Sequence, residues 1–414
     1  MSSGPNYQPT YPPSLAHVPD VEFAVKDPRT IRDEAIRDYE LAYRSLTQIA
    51  KTLAPADPIR MLILTVCQLI VQLRVMIDQG CKMNLLKYSV KDFLTEVAAL
   101  YGPRADRVEA QPATCELEFS LTLPLTFTAV IDAGAQAGTA NELIFETVQP
   151  IIIQAGQLSG SSPAKCQTKG QIGNGYVPGQ VSSLVEWNQP FNVSVRNTTE
   201  TANGAESEED ERYRYRTWLT PESFSTCGPE DGYRYWALRA HPDIVSCVVY
   251  SAPAIAGEAH LYPLMRGGLL PNDDVLAAVL DMASPRHRRP VCDYVSAFRA
   301  TPVFFRVHIE WWALRENEIV IAEIDRKVKQ AVDDWLLWQR GAIGVDIIPD
   351  ELVRRVVSAG AKRVAGPGSD PDNFVPVEPA YRHLAYNELA VLEADPPDEP
   401  GLTKKVIFRG FEDR

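Results

Sequence analysis

Between residues 35 and 123 the repeat of apolar residues changes, and that change limits the fold more than any other feature of the chain. Ala35, Tyr39, Ala42, Leu46, Ile49 and Leu53 step by 4, 3, 4, 3 and 4, which is the heptad seam of a helix that packs on another helix. From about residue 114, Leu117, Phe119, Leu121 and Leu123 alternate with Glu116, Glu118, Ser120 and Thr122, and Phe127, Ala129 and Ile131 continue the series. A period of two belongs to strands with one buried face. The chain must therefore combine a helical part with a β part, so an α+β multidomain fold is expected, with an N-terminal helical bundle, a β-rich middle domain and small C-terminal α/β domains.

The helical part carries its own punctuation. Asp27-Pro28 and Asp57-Pro58 each read as an N-cap followed by the first helical position, with Pro55 closing the first helix and Gly80 the second. In the second helix Thr65, Gln68, Gln72 and Gln79 form one narrow polar stripe, while residues such as Leu69, Leu73 and Met76 cover the remainder. One neighbouring helix cannot cover so much apolar surface, so this helix is either central in its own bundle or buried against another chain. A third helix is expected from Ser89, capped with Asp92, and ended by Gly102-Pro103.

The domains are expected at 27–103 (helical), 104–200 (β-rich), 201–300 (α/β) and 301–393 (C-terminal α/β). Residues 1–26 form a proline-rich extended arm ahead of them, and 394–414 a flexible acidic tail behind. Ser207 is expected to cap a helix with Glu208, Glu209 and Asp210 in its first turn, Asp274 to cap another, and Val291–Phe298 to form a strand. In the last domain Phe305, Val307, Ile309 and Trp311 share the buried face of a strand, which leaves Arg306, His308 and Glu310 on a solvated face. The helix 319–338 buries Ile321, Ile324, Val328, Ala331 and Trp335.

Composition narrows the function. With 45% hydrophobic and 23% charged residues the chain is not disordered, and a net charge of −13 opposes broad neutralisation of nucleic-acid phosphates. The longest apolar run, Met61 to Val71, is short of a bilayer span, so no membrane insertion is expected. Seven scattered cysteines, with no CxxC and no Cys/His cluster, read as reduced, buried thiols rather than metal ligands. No GxSxG, HExxH, EF-hand or GxxxxGK[ST] pattern occurs, so no catalytic residue, metal or cofactor is expected. The carboxylates Glu206, Glu208, Glu209 and Asp210 sit too close together on one turn to flank a sugar as a glycosidase pair does. The basic stretch Pro285 to Pro290 is expected to be a loop that pairs with an acidic neighbour, and the glycines of 170–179 to make turns.

The order of parts resembles the baseplate J-like proteins of contractile-tailed phages and related injection devices. The likeness is carried by a G-x-x-G-N turn (Gly170, Gly173, Asn174) and an E-S-x-E-x-x-R-x-R element (Glu206, Ser207, Glu209, Arg212, Arg214). The chain departs from the family pattern at Thr201, Ala202 and Gly204, where a glycine pair and an Asp are common, and at Gly360-Ala361. The resemblance implies a non-enzymatic wedge subunit, assembled in the host cytoplasm. Its partners would be a second copy of itself, a second wedge subunit, sheath-initiator and hub proteins, and neighbouring wedges in a ring that opens to trigger sheath contraction. In that light Leu46, Ile49, Leu53, Leu69, Leu73 and Met76 become candidate partner-interface residues. Rival readings are a receptor- or glycan-binding module, for which Tyr176 and Trp187 are the candidate aromatics, and a cell-wall hydrolase using Glu206 and Asp210.

Overall fold

The computed structural model describes residues 15, 18–187, 189–251, 257–369, 375–395 and 401–413. The arm's prolines at 5, 9, 12 and 13, and parts of the expected loop at 366–378 and tail at 394–414, lie outside the described residues. The described residues divide into two compact units, the smaller lying within 15–106 and 213–218 and the larger within 107–212 and 219–413.

The smaller unit is built on three helices: α1 (Pro28–Thr47), α2 (Pro58–Lys82) and α3 (Lys91–Ala99). Both Asp-Pro caps form: the Asp27 carboxylate accepts from the amides of Arg29 and Thr30, and Asp57 from that of Ile59. Helix α1 stops at Thr47, where Gln48 turns left-handed, so Ile49 and Leu53 fall in the connection beyond the helix and the heptad seam is cut short. Helix α2 runs two residues past Gly80. The Ser89 cap does not form: α3 starts after Val90 without a side-chain cap, and Ser89 is buried. Residues 18–26 run as a strap along α2. Phe23 donates its amide to Asp78 Oδ1 (2.8 Å), Lys26 Nζ reaches Asp78 Oδ2 (2.7 Å), Arg74 donates to the Val25 carbonyl (3.2 Å), and Asp20 accepts from the Tyr88 hydroxyl (2.9 Å).

The larger unit opens with strands β1 (Pro112–Leu121), β2 (Ala129–Ile131), β3 (Gln136–Thr139), β4 (Ile144–Thr147), β5 (Ile151–Ile153), β6 (Ser159–Lys169), β7 (Val181–Val185) and β8 (Val193–Asn197). Six of them form an antiparallel sheet in the order β7-β3-β4-β6-β1-β8, and β2 pairs with β5. The end strands β7 and β8 come together, so the sheet curls into a nearly closed barrel. Asn197 at the end of β8 pins this closure: Oδ1 accepts from the amides of Gly179 (2.9 Å) and Val181 (3.0 Å), while Nδ2 donates to the Val177 and Thr199 carbonyls. Leu117, Phe119, Leu121, Ala129 and Ile131 fill the interior as the period of two predicts, whereas Leu123 and Phe127 stay exposed in the connection.

After the barrel come α4 (Asp210–Leu219), α5 (Glu230–Ala240), β9 (Ile244–Tyr250), β10 (Glu258–Met265), α6 (Asp273–Ala283) and β11 (Tyr294–Ala297). The sheet β11-β10-β9 packs against α5 and α6. Asn272, not Asp274, caps α6 by accepting from the Val275 amide (3.0 Å), and Val291 lies outside the strand, exposed.

The last part comprises β12 (Thr301–Phe305), β13 (Val307–Leu314), α7 (Ile321–Gln339), α8 (Pro349–Ser358), β14 (Arg363–Ala365), β15 (Glu388–Leu392) and β16 (Lys404–Glu412). Ile324, Val328, Val332 and Trp335 of α7 pack with Leu352 and Val356 of α8 on Val307, Ile309 and Trp311. Ala331, expected in that core, is only half-buried beside Val332. Residues 404–412, expected within a flexible tail, instead add β16 parallel to β13, with Val307 paired to Lys404 and Trp311 to Phe408. The face of Arg306, His308 and Glu310 is not solvated throughout. Glu310 is 1% exposed and accepts from Arg409 (2.6 Å) and the Gly368 amide (3.2 Å), because residues 366–369 and β16 cover it. The Arg409 guanidinium holds the Glu310 carboxyl below the usual carboxylate range.

Candidate functional site: a polar junction and an exposed apolar helix

The two sequence motifs meet. Gly170, at φ +109°, leads into a short 3-10 turn over Gln171–Gly173, and Gln171 donates its amide to Glu206 Oε1 (3.1 Å). Asn174 and Gly204 exchange two hydrogen bonds, Nδ2 to the Gly204 carbonyl (2.7 Å) and the Gly204 amide to Oδ1 (2.8 Å). The glycines are needed for this approach: a Cβ on Gly204 would lie 2.4 Å from the Gly170 carbonyl oxygen, and one on Gly173 would lie 2.8 Å from the Cβ of Ala113.

The charged element beyond is a set of separate structural contacts rather than a reactive cluster. Helix α4 starts at Asp210, so Ser207 and Glu208 precede it; Ser207 is exposed and Glu208 is not in a helical turn. Glu208 is 1% exposed and pairs with the fully buried Arg212, whose guanidinium also donates to the carbonyls of Leu238, His241 (2.8 Å) and Ile244 (2.7 Å). The other Glu208 oxygen accepts from the Val108 amide (3.1 Å). Asp210 pairs with Arg107 (2.7 Å) and Glu209 with Arg266 (2.5 Å). Within the smaller unit Arg214 donates to the carbonyls of Leu86 (2.8 Å) and Ser89 (2.7 Å), and Arg216 to that of Asp106 (2.6 Å). Tyr213 packs there with Leu94, Ala98 and Ala105. The buried cations Arg212, Arg214 and Arg216 thus end on carbonyls or a carboxylate that burial would otherwise leave unpaired. Glu208, Arg107 and Arg216 are absent from the motif read in the sequence; the i,i+4 spacing of Glu208 and Arg212 was the available signal.

Sites expected to reach outward are partly used inside. Arg288 donates to the Met282 carbonyl (2.7 Å) and lies 4.1 Å from the Trp236 ring centroid, and Arg289 donates to the Ser284 carbonyl (2.7 Å), so these two members of the basic loop are satisfied within the chain. Trp187 stacks on Phe119 in the barrel, and the Tyr176 hydroxyl accepts from Asn141 (3.1 Å). Cys67, Cys115, Cys166 and Cys247 are buried, and burial pushes the Cys115 and Cys247 thiols up to about 12. Cys227 and Cys292 are exposed, contrary to the expectation of buried thiols. No group of three or more His, Cys, Asp or Glu side chains suited to a metal ion occurs among the described residues.

The candidate interface residues fall into two groups. Leu46 (84% exposed), Ile49, Leu69, Leu73 and Met76 (65% exposed) are open, together with Leu41, Met61, Leu62, Val66 and Ile77. Leu53 is not on that surface: it is 2% exposed, with its amide bonded to Glu40 (2.8 Å) and its carbonyl to Arg60 (3.0 Å). Only Cys67 and Asp78 of α2 are buried. By length and composition α2 is also long and apolar enough to cross a membrane, more than the Met61–Val71 run suggested. Asp78 within it is a paired charge, held between Lys26 and Lys82.

Comparison with known proteins matches two stretches, the first of which holds the Gly170-Asn174 turn, while the Glu206–Arg214 element lies between them. Residues 117–204 match the barrel domain of baseplate J-like proteins, and residues 225–299 match the baseplate J-like central domain. Both stretches are thus similar to domains of the baseplate J-like family. Among solved structures, one similar chain comes from the six-fold symmetrised cryo-EM structure of the anti-feeding prophage baseplate. It is 10% identical, covers 87% of this chain and 90% of its own, and has a TM-score of 0.40. No curated protein sequence matches the chain.

Proposed function

We propose that this chain is a non-enzymatic wedge subunit of a contractile-tail baseplate, and that its helical hairpin is completed by other chains. The observation that carries this reading is α2, an apolar helix of 25 residues of which only Cys67 and Asp78 are buried. Exposed apolar surface on this scale is uncommon on a monomer and typical of a face that a partner covers. The two stretches similar to baseplate J-like domains supply the setting. In this reading a second copy of the chain and a second wedge subunit join the hairpin through Leu46, Ile49, Leu69, Leu73 and Met76. The domain at 301–393 links wedges into a ring around the hub and sheath-initiator proteins. Release of that ring on host attachment triggers contraction, which requires contacts with two near-balanced arrangements. The carboxylates from Glu206 to Asp210 serve the fold, so Glu206→Ala with Asp210→Ala removes no cell-wall hydrolysis.

Co-expression with the second wedge subunit from the same gene cluster, followed by light scattering, tests the reading. A complex with two copies of this chain is expected, and Leu69→Glu with Leu73→Glu abolishes it while leaving the folded chain intact. A chain that stays monomeric beside its neighbour overturns the proposal.

A further inference from the structure

The barrel and the central domain both reach Asn203. Its backbone is left-handed at φ +68°, its Nδ2 donates to Thr114 Oγ1 (2.9 Å) and Asp274 Oδ2 (2.9 Å), and its Oδ1 accepts from Asn272 Nδ2 (2.5 Å). A fourth contact comes from His241, a 7% exposed residue just past the end of α5. The Asp243 amide donates to His241 Nδ1 (3.1 Å), so Nδ1 carries no proton, and the neutral ring places its one N–H on Nε2, 3.4 Å from the Asn203 carbonyl. That geometry uses both ring nitrogens in a single protonation state.

We propose that His241 is an acid-sensitive pin between the barrel and the central domain, holding the Asn203 segment while the ring is neutral and loosening it when Nδ1 takes a proton. A proton there sets two N–H groups against each other and breaks the bond from Asp243. It also places a cation in a buried site beside Arg212, whose guanidinium is bonded to the His241 carbonyl (2.8 Å). Burial comes first among the causes that lower the ring's pKa. The Asn203 carbonyl and the Asp243 carboxylate oppose that shift, and Arg212 adds to it. The Asp243 carboxylate is itself tied to Arg266 (3.2 Å), and Asp274 of α6, with Glu116 and Glu200 of the barrel side, lines the same groove. Because the folded state prefers the neutral ring, the stability it holds is complete above a pH of about 6.5 and is lost as the pH falls below that value. This inference stands whether or not the wedge reading does, since it concerns a joint inside one chain.

Hydrogen exchange on the full chain at pH 7.5 and pH 5, corrected for intrinsic rates, tests it. The Asp243 amide and residues 200–205 are expected to open about fivefold or more faster at pH 5, with β6 of the barrel unchanged, and His241→Asn is expected to remove the pH response. Equal protection of Asp243 at both pH values overturns the proposal, and so does a pH response that persists in His241→Asn. If that variant does not fold, the wild-type chain decides alone: an acid loss at Asp243 matched by the same loss in β6 is general destabilisation and overturns the pin.

Discussion

Helices α2 and α7 are two long apolar-striped helices of opposite fate. Helix α7 has charges on its outer face, Glu323 with Arg326 and Asp325 with Lys329, and buries Ile324, Val328, Val332, Trp335 and Gln339. Helix α2 is longer and far richer in apolar residues, yet it buries only Cys67 and Asp78. The difference teaches that apolar content alone does not locate a core. Helix α7 has a single apolar stripe matched to the sheet it lies on, whereas α2 offers more apolar surface than α1 and the strap can cover.

Mutations can break this contrast or sharpen it. Trp335→Ala removes a fully buried ring stacked edge-on against Phe305 and is expected to cost the isolated chain about 3–5 kcal/mol, seen as a lower melting temperature or denaturant midpoint. Glu208→Ala extends the same test to a buried charge: Arg212 loses its carboxylate partner, and a loss of about 3–5 kcal/mol is expected in denaturant unfolding. Gly204→Ala forces a Cβ against the Gly170 carbonyl and is expected to cost about 1–3 kcal/mol, with the turn at 170–174 gaining protease sensitivity. Asp78→Asn leaves the folded core alone but weakens the strap, so faster hydrogen exchange over residues 18–26 is expected. Acid acts in the same direction: Lys26, the Phe23 amide and Lys82 hold the Asp78 carboxyl well below its ordinary range, so the clasp is present above a pH of about 4 and is lost on strong acidification. At the small end, Leu73→Ala changes the stability of the isolated chain by no more than about 0.5 kcal/mol, because the side chain is already open. A large loss there would mean that α2 is covered within its own chain, and the contrast with α7 would fail.

Much of this was legible in the sequence where local chemistry decides the outcome. The Asp-Pro caps of α1 and α2, the alternation of β1 and the apolar stripe of α7 all follow from spacing and side-chain type. Other features depend on distant partners. The seam through Ile49 and Leu53 continues the heptad, but Gln48 turns left-handed and Leu53 is drawn inward by Glu40 and Arg60. Residues 404–412 read as part of a flexible acidic tail because they follow the Pro- and Asp-rich stretch 394–403, yet β13 presents them with an unpaired edge. Glu208 looks solvated beside three other acids until Arg212 and the Val108 amide are in place. Asn203 gives no signal in its own neighbourhood, because its partners Thr114, Asn272 and Asp274 come from two stretches far from it in sequence.

The parallel pairing of β13 with β16 also sets an order of events during synthesis. When Val307 to Leu314 leave the ribosome, only the short strand β14 follows soon after as a neighbour, and the other edge has no partner until Lys404 to Glu412 emerge. Phe408 and Phe411, which pack against the core around Trp311, emerge only with β16 as well. A chain that stops short of residue 404 therefore exposes both an open strand edge and an unfilled apolar seat, two features that quality-control proteases and chaperones recognise. Synthesis through β16 is in this way checked by the fold itself.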